Sequence, residues 1–351
     1  MCYSIRELLL GRGSKMKYDE SQITDDLFVH APYEEEESEE LDASPRSFWK
    51  ESLQRLLQNR GALIGLITIM IITILSIFGP IMNNYAFDDQ DLLRSNLPPL
   101  VHGLEWAGFD GTNSHGKDVY ADKSLSGAPA WIGTDEFGRD LWTRVWRGTQ
   151  VSMIIGLVAA LLDILIGVIY GGISAFYGGR VDDVMQRVIE VLVGIPNLIL
   201  IILLILILQP GILTIILALV ITGWVNMARI VRGQILQLKG QEFILASRAL
   251  GASDRQLIWK HLIPNTMGPI IVTLMFTIPT AIFFEAFLSF IGLGIQPPLA
   301  SLGTLIDDGY QDMQYFSYKL IFPAIVISAI MISFNMLGDG LRDALDPKLR
   351  K

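Results

Sequence analysis

Cysteine and charge are both scarce in this chain of 351 residues. Cys2 is the only cysteine, which excludes a disulfide within the chain. Charged residues make up 18% of the sequence and apolar residues 51%, and the mean hydropathy is +0.43. Soluble domains carry about 25% charged residues, because their surfaces face water. The composition therefore excludes an ordinary soluble domain and favours a membrane protein.

Recognisable sites for nucleotides and metals are also missing. No phosphate-binding loop of the form G-x-x-x-x-G-K-[ST] occurs in the sequence. The four histidines, His30, His102, His115 and His261, are scattered without the spacing of metal ligands. We therefore assign no catalytic residue, no metal site and no cofactor to this chain, and nothing in it indicates a nucleic-acid partner.

Long apolar runs, in contrast, recur along the chain. Each is about 20 residues long, the length that crosses roughly 30 Å of hydrocarbon as a helix. The runs predict six spans, at residues 62–82, 151–172, 188–208, 211–227, 268–291 and 320–337. The expected fold is an all-α integral membrane protein with six transmembrane helices. Its first span, at 62–82, precedes a five-helix core at 151–337.

The N-terminal segment differs sharply in charge from the rest. Residues 1–45 contain twelve acidic residues against four basic ones, a net charge of −8 out of −9 for the whole chain. Such self-repulsion predicts a disordered tail, with a docking site for a basic partner as the alternative. Met16 is a second candidate for the start of translation. Residues 46–61 place leucines among basic side chains, as expected of an amphipathic helix at the membrane surface.

Lysine and arginine in the short loops set the expected orientation. They cluster between the second and third predicted spans, in the loop at 229–264 and in the tail at 338–351. Placing these segments in the cytoplasm puts both termini there as well. The long loop at 83–150 then lies outside, and its residues 138–147 predict a helix lying on the outer surface.

The loop at 229–264, hereafter the coupling loop, carries an apolar stripe. Five of its residues stand at helical spacing: Phe243, Leu245, Ala246, Ala249 and Leu250. Gly251 suits the left-handed position that ends such a helix. Ser253 and Gln256 fit a capping box that starts a second helix, which Pro264 is expected to end. A water-facing stripe needs a cover, and a partner subunit, this chain's own spans and the lipid headgroups are all open alternatives.

Several motifs resemble one transporter family. Ala246, Gly251 and Pro264 have the spacing of a loop motif shared by permeases of ATP-binding-cassette importers, although Leu245 and Ser247 replace its glutamate and second alanine. Three further segments resemble the peptide and nickel branch of that family: GTDEFGRDLWTRVWRGTQVS at 133–152, EAFLSFIGLGIQPP at 285–298 and NMLGDGLRDALDPKLR at 335–350. From residue 46 to residue 351, the chain thus resembles the C-type permease of oligopeptide or dipeptide importers, with its six-helix MetI-like fold.

The resemblance implies that this chain lies in the lipid of a bacterial cell membrane and assembles there with several partners. A homologous permease would pair with this chain as a heterodimer and enclose one pathway for the peptide. An extracellular peptide-binding protein would deliver that peptide. Two ATP-binding subunits would hold ATP and Mg²⁺ and grip the coupling loop. The contact residues would be Phe243, Leu245, Ala246, Ser247, Ala249, Leu250, Gly251 and Pro264.

Three alternatives stay open at this point. The same branch also imports nickel. A secondary transporter driven by an ion gradient would need an inverted repeat with broken helices. A receptor or scaffold that transports nothing is the third alternative.

Two acidic residues fall within predicted spans. Asp163 lies midway along the second span, where a charge costs roughly 2.5–3.5 kcal/mol. It should therefore face the bundle or a wet cavity, either as part of a pathway or gate or as the partner of a polar neighbour. Glu285 lies in the fifth span, where the family resemblance implies a structural or gating role and no catalysis.

Overall fold

The computed structural model describes residues 48–113, 116–123, 125 and 129–345. The predicted acidic tail at 1–45, His30, His115 and the part of the C-terminal tail from residue 346 onward lie outside the described residues. Contacts divide the chain into two units, Met1–Phe48 and Trp49–Lys351, and the features below belong to the second unit except for Phe48, the first residue of α1.

Helices dominate the described part of the chain. In order they are α1 Phe48–Gln58, α2 Arg60–Phe78, α3 Val119–Asp122, α4 Leu141–Tyr177, α5 Gly179–Gly194, α6 Asn197–Leu208, α7 Ile212–Leu238, α8 Glu242–Ala249, α9 Asp254–Gln256, α10 Ile263–Asn265, α11 Met267–Phe290, α12 Leu302–Gln311 and α13 Tyr318–Leu345. A π-helical stretch, Leu257–Leu262, separates α9 from α10. The described residues form isolated β-bridges but no β-strand, which confirms the all-α fold class.

Five of these helices, α2, α4, α7, α11 and α13, are long and apolar enough to cross a membrane. The helices α5 and α6 pass the same test only as a pair, and they are bent by 80° at their junction. The span predicted at 188–208 is therefore not one unbroken helix, because α5 ends at Gly194 and α6 begins at Asn197. Ile195 has an extended backbone (φ −91°, ψ 127°), because the residue before a proline is disfavoured in the helical region and Pro196 follows it. Counting the bent pair as one, the described part of the chain has six spans.

The second span begins earlier than its apolar run suggests. The side chain of Asp140 caps α4 by accepting a hydrogen bond from the Thr143 backbone N–H, and the helix continues for 37 residues. The separate surface helix predicted at 138–147 was wrong, since residues 141–147 are the first two turns of α4. No proline lies between Asp140 and the predicted span, and the one glycine there, Gly148, is accommodated within the helix.

Glycines let the central helices approach each other closely. A Cβ atom at Gly171 on α4 would lie 2.3 Å from the carbonyl oxygen of Ala228 on α7. A Cβ at Gly167 would lie 2.6 Å from the Cβ of Met227. In lipid, close packing replaces the hydrophobic effect as a force between helices, and small residues make it possible. These glycines therefore fix α4 against α7.

The first span, α2, packs against the last one, α13. A Cβ at Gly65 on α2 would lie 2.6 Å from the carbonyl oxygen of Ser333 on α13. A Cβ at Gly340 on α13 would lie 2.3 Å from the Cβ of Ala62. The helix α1 precedes this pair, and it buries Leu56 while Leu53 and Leu57 stay exposed.

The short helix α12 was not predicted from the sequence. It starts at a capping box of Ser301 and Thr304. A Cβ at Gly303 would lie 2.4 Å from the Cα of Ala286 on α11, and one at Gly309 would lie 2.6 Å from the backbone nitrogen of Leu320 on α13. The helix α12 therefore packs between α11 and α13. It lies at the end of the bundle where α4 begins, which is called the loop end below. The opposite end, where α4 meets the coupling loop, is the coupling end.

Candidate functional site

A polar cavity of about 280 Å³ lies among α4, α6, α7 and α11. Its lining residues are Asp163, Asn197, Leu219, Thr222, Gly223, Asn226, Thr273, Phe276, Thr277, Thr280, Ala281 and Phe284. Seven of these twelve residues carry a hydroxyl, amide or carboxyl group in the side chain, which is unusual for residues on membrane-spanning helices. The cavity is therefore the candidate for a pathway element within the bundle.

Asp163 is the one ionisable residue in this lining. The residue is 4% exposed, and its Oδ1 atom has no hydrogen-bond partner. The described residues place no lysine, arginine or histidine within ion-pair distance of it. Among the described residues no polar neighbour donates to Oδ1, and a role of Asp163 in a pathway or gate stays a prediction.

The threonines of α11 form a stripe on one side of the cavity. Thr273, Thr277 and Thr280 follow the i, i+4, i+7 spacing of one helix face. Each hydroxyl donates to the backbone carbonyl four residues earlier, at 2.7, 2.9 and 2.7 Å respectively. Their donors are thus satisfied within the helix, and their oxygens remain available as acceptors. Sequence reasoning missed this stripe, although its spacing was visible.

Glu285 lies elsewhere, in a buried cluster at the loop end of α11. Its carboxylate accepts hydrogen bonds from Ser152 Oγ at 2.7 Å and from Ser289 Oγ at 2.8 Å. The Ser152 oxygen in turn accepts from the Leu302 backbone N–H at 3.2 Å, and Ser301 Oγ lies 3.3 Å from Ser289 Oγ. Glu285 is fully buried and absent from the cavity lining. The structure therefore does not bring Glu285 and Asp163 into one site.

The motif at 133–152 folds into an ion cluster at the loop end. Arg139 Nε lies 2.6 Å from Asp135 Oδ2, and Arg144 Nε lies 3.5 Å from the same oxygen. All three residues are buried. Gly133 and Gly138 have φ values of +91° and +75°, which favour glycine, and they turn the chain around the cluster. The motif thus has a structural role in seating the start of α4.

The coupling loop folds as a helix, a turn and a second helix. Gly251 follows α8 with φ +87°, and Ser253 and Gln256 form the predicted capping box. The expectation that Pro264 ends the second helix was wrong, because the helical run passes through Pro264 to Asn265. The stretch before it is π-helical, and the Ile263 N–H bonds to the carbonyl five residues earlier, which widens the turn that receives the proline.

The apolar stripe of the coupling loop faces away from this chain. Phe243 is 43% exposed, Leu245 53% and Leu250 89%. Ala246, Ala249, Gly251 and Pro264 are also exposed, whereas Ser247 is half-buried and donates to the Phe243 carbonyl at 2.8 Å. The stripe is therefore not covered by the described spans of this chain, which was one of the alternatives that the sequence left open.

A different residue anchors α8 to the bundle. Ile244 is 1% exposed and packs in one cluster with residues of α4, α7 and the π-helical stretch, including Phe176, Ile235 and Leu257. The sequence analysis did not single out Ile244. The signal was available, because a residue on the opposite face of an exposed stripe is the one that can reach the core.

Polar contacts fix the base of the coupling loop. Arg232 donates to both carboxylate oxygens of Asp182, at 2.7 and 2.6 Å, which ties α7 to α5. Lys239 Nζ donates to the Phe176 carbonyl at 2.7 Å, near the C-terminus of α4. The coupling loop is thus attached to α4 and α5 as well as to the helices that flank it. A displacement of the loop would be transmitted to those helices.

Comparison with known proteins gives consistent matches. The family described as binding-protein-dependent transport system inner membrane component matches residues 130–351. The family described as N-terminal TM domain of oligopeptide transport permease C matches residues 47–99. Oligopeptide transport system permease protein OppC of Bacillus subtilis (strain 168) is 45% identical over 94% of this chain and 99% of its own length.

Further matches extend the comparison. Dipeptide transport system permease protein DppC of the same Bacillus subtilis strain is 44% identical over 94% of this chain and 95% of its own. Among solved structures, an inward-facing form of the MetNI methionine ABC transporter is 20% identical, with a TM-score of 0.48, over 58% of this chain and 96% of its own.

Proposed function

Because the chain belongs to the family of binding-protein-dependent transport system inner membrane components, we propose that it is the membrane permease subunit of an ATP-driven importer of oligopeptides or dipeptides. The assignment of peptides as the cargo rests on one observation. Over 94% of its length, this chain is 45% and 44% identical to relatives named as oligopeptide and dipeptide permeases. ATP and Mg²⁺ then belong to separate subunits.

The coupling loop is the proposed contact for the ATP-binding subunits. Its exposed apolar residues, led by Leu250 at 89%, would be covered when a partner docks. Its base is attached to α4 and α5 by Lys239 and Arg232. A partner that closes on ATP would thereby move spans that line the pathway, which requires a contact that differs between two states.

The polar cavity at Asp163 is the proposed pathway element of this chain. One chain presents the cavity on its own helices, and a homologous permease, paired as a heterodimer, would enclose it from the other side. Glu285 is proposed as a structural element instead, since its hydrogen bonds join α4 and α11 beside α12. An extracellular binding protein would deliver peptide to the loop end, with both termini of this chain in the cytoplasm.

The test is uptake by the purified complex in lipid vesicles. This chain, its partner permease, the two ATP-binding subunits and the binding protein would be reconstituted together. We expect accumulation of a labelled tripeptide that requires ATP, and no accumulation when this chain is omitted. Accumulation of Ni²⁺ but not of peptide would assign the chain to the nickel branch. Uptake that persists without the ATP-binding subunits would overturn the proposal in favour of an ion-driven transporter.

A further inference from the structure

Asp163 is a carboxylate that has no counter-charge among the residues that the structure describes. It lies within α4, where an isolated charge is costly unless something pairs with it. The residue is 4% exposed and its Oδ1 atom is unpartnered. Every other residue that lines the cavity is neutral. With no cation beside it among the described residues, this carboxyl group is either protonated or paired with a cation from outside the chain.

The charged residues of the neighbouring helices are not available for that purpose. On α7, Arg232 is bound by both carboxylate oxygens of Asp182, and Arg229 is exposed. The helices α6 and α11 contribute no lysine or arginine, and the only acid of α11, Glu285, is held by serines. The Asp163 carboxylate thus has no cationic neighbour among the residues packed around it.

The cavity gives this carboxylate room and suits a small cation. A Cβ atom at position 223 would lie 2.2 Å from Asp163 Oδ2, so Gly223 leaves the space that the carboxylate fills. The threonine oxygens of α11 are available acceptors, and the aromatic rings of Phe276 and Phe284 complete the lining. The Phe276 ring already has the Arg342 guanidinium 5.4 Å from its centroid, so Phe284 is the ring that is left for a further cation. Acceptors and aromatic faces around a carboxylate favour an ammonium group over a neutral or anionic one.

We propose that Asp163 binds the ammonium group of the transported peptide, the α-amino terminus of every unmodified peptide, as it passes the cavity. This inference rests on the proposed function, and it makes Asp163 a residue that contacts substrate. A peptide whose amino terminus is acetylated would lack the group that the carboxylate recognises. A lysine side chain offers the same chemistry, so the test separates these two sources.

The first experiment measures the charge preference of the cavity without transport. In the complete transporter with Cys2→Ser, a single cysteine is placed by Thr277→Cys, or by Asn226→Cys if the first variant does not assemble. The new cysteine is modified with one of two methanethiosulfonate reagents, one carrying a trimethylammonium group and the other a sulfonate group, and the two rates are compared. The background reaction of cysteines in the partner subunits is measured on the parent transporter, which lacks the new cysteine, and is subtracted. We expect Asp163→Asn to lower the cation-to-anion rate ratio by roughly ten-fold.

The matched control is Asp183→Asn, which removes an exposed carboxylate of α5 outside the cavity and should leave the ratio unchanged.

The second experiment measures protection of the same cysteine. We expect trialanine with a free amino terminus to slow its modification when Asp163 is present and not in Asp163→Asn. Acetyl-trialanine should give no protection, and acetyl-Ala-Lys-Ala shows whether a lysine ammonium can replace the terminus.

Equal rate ratios in the parent and Asp163→Asn, or equal protection by free and acetylated trialanine, would overturn the inference. Failure of the proposed function is a distinguishable result. In that case the reconstituted complex would import no peptide with ATP, although the cation preference could still be measured. Normal ATP-dependent import of peptide by a transporter whose cavity shows no charge preference would contradict the inference about Asp163 and leave the proposed function intact.

Discussion

Ser152 on α4 donates a 2.7 Å hydrogen bond to the carboxylate of Glu285 on α11, a residue 133 positions later in the chain. The bond is fully buried and links two spans at the loop end. Both residues belong to the motifs that resemble the peptide importer branch, and this contact gives a physical reason for their presence.

Ser152→Ala should destabilise the bundle, because the substitution removes a donor to a buried carboxylate. We expect a loss of about 1–2 kcal/mol in the free energy of unfolding, measured by denaturant titration in detergent. Ser76→Ala is the matched control, since Ser76 is also buried but bonds only to the Thr73 carbonyl of its own helix. Equal losses for the two variants would contradict a clamp between α4 and α11.

Leu250→Ala should weaken binding of the ATP-binding subunits without loosening the fold. Leu250 is 89% exposed, so it packs little against the described residues of this chain. We expect a loss of about 2 kcal/mol in binding free energy, measured by titrating the ATP-binding subunits onto the permease pair. Ile244→Ala, at the buried anchor of α8, should instead lower the free energy of unfolding by about 2–5 kcal/mol. Unchanged subunit binding by Leu250→Ala would remove the docking role.

Gly171→Ala should force α4 away from α7. The new Cβ would lie 2.3 Å from the Ala228 carbonyl oxygen, which is far inside contact distance. We expect a loss of about 1–3 kcal/mol in the free energy of unfolding. Gly233→Ala, on α7 with nothing within 4 Å, should instead stabilise by about 0.5–1 kcal/mol through helix propensity. A neutral effect of Gly171→Ala would show that the helices can separate without cost.

Cysteine labelling should place the loop end outside the cell. In a chain with Cys2→Ser, we expect a membrane-impermeant maleimide to modify Trp106→Cys in intact cells, because Trp106 is 85% exposed in the long loop. Arg180→Cys, an exposed position between α4 and the body of α5, should react only after permeabilisation. The reverse pattern would invert the proposed orientation.

Local features were readable from the sequence alone. The capping box of Ser253 and Gln256 and the left-handed Gly251 were both confirmed, because each depends on residues within one turn of the chain. The break at Pro196 and the early start of α4 at Asp140 were equally local, and the apolar runs concealed them. Hydropathy locates the part of a helix that lies in lipid, whereas caps and prolines decide where the helix itself begins and ends.

The side that each residue faces was not readable in the same way. Helix faces toward lipid and toward protein are both apolar, so periodicity does not separate them in a membrane. The orientation of Asp163 toward the cavity and of Glu285 toward Ser152 therefore came only from packing. In the water-facing coupling loop, by contrast, the exposed stripe was predictable from spacing, and its buried counterpart Ile244 was missed.

The sequence by itself determined an all-helical membrane protein, its family, its spans to within a few turns and the cap chemistry of the coupling loop. The fold class, the spans and the caps follow from composition and from interactions between near neighbours in the chain, whereas the family follows from the resemblance of its motifs. Only the tertiary structure decided that Asp163 has no counter-charge within the described part of the chain and that Glu285 has serine partners. Both outcomes depend on which helices meet, and that is set by glycine contacts between residues far apart in the chain.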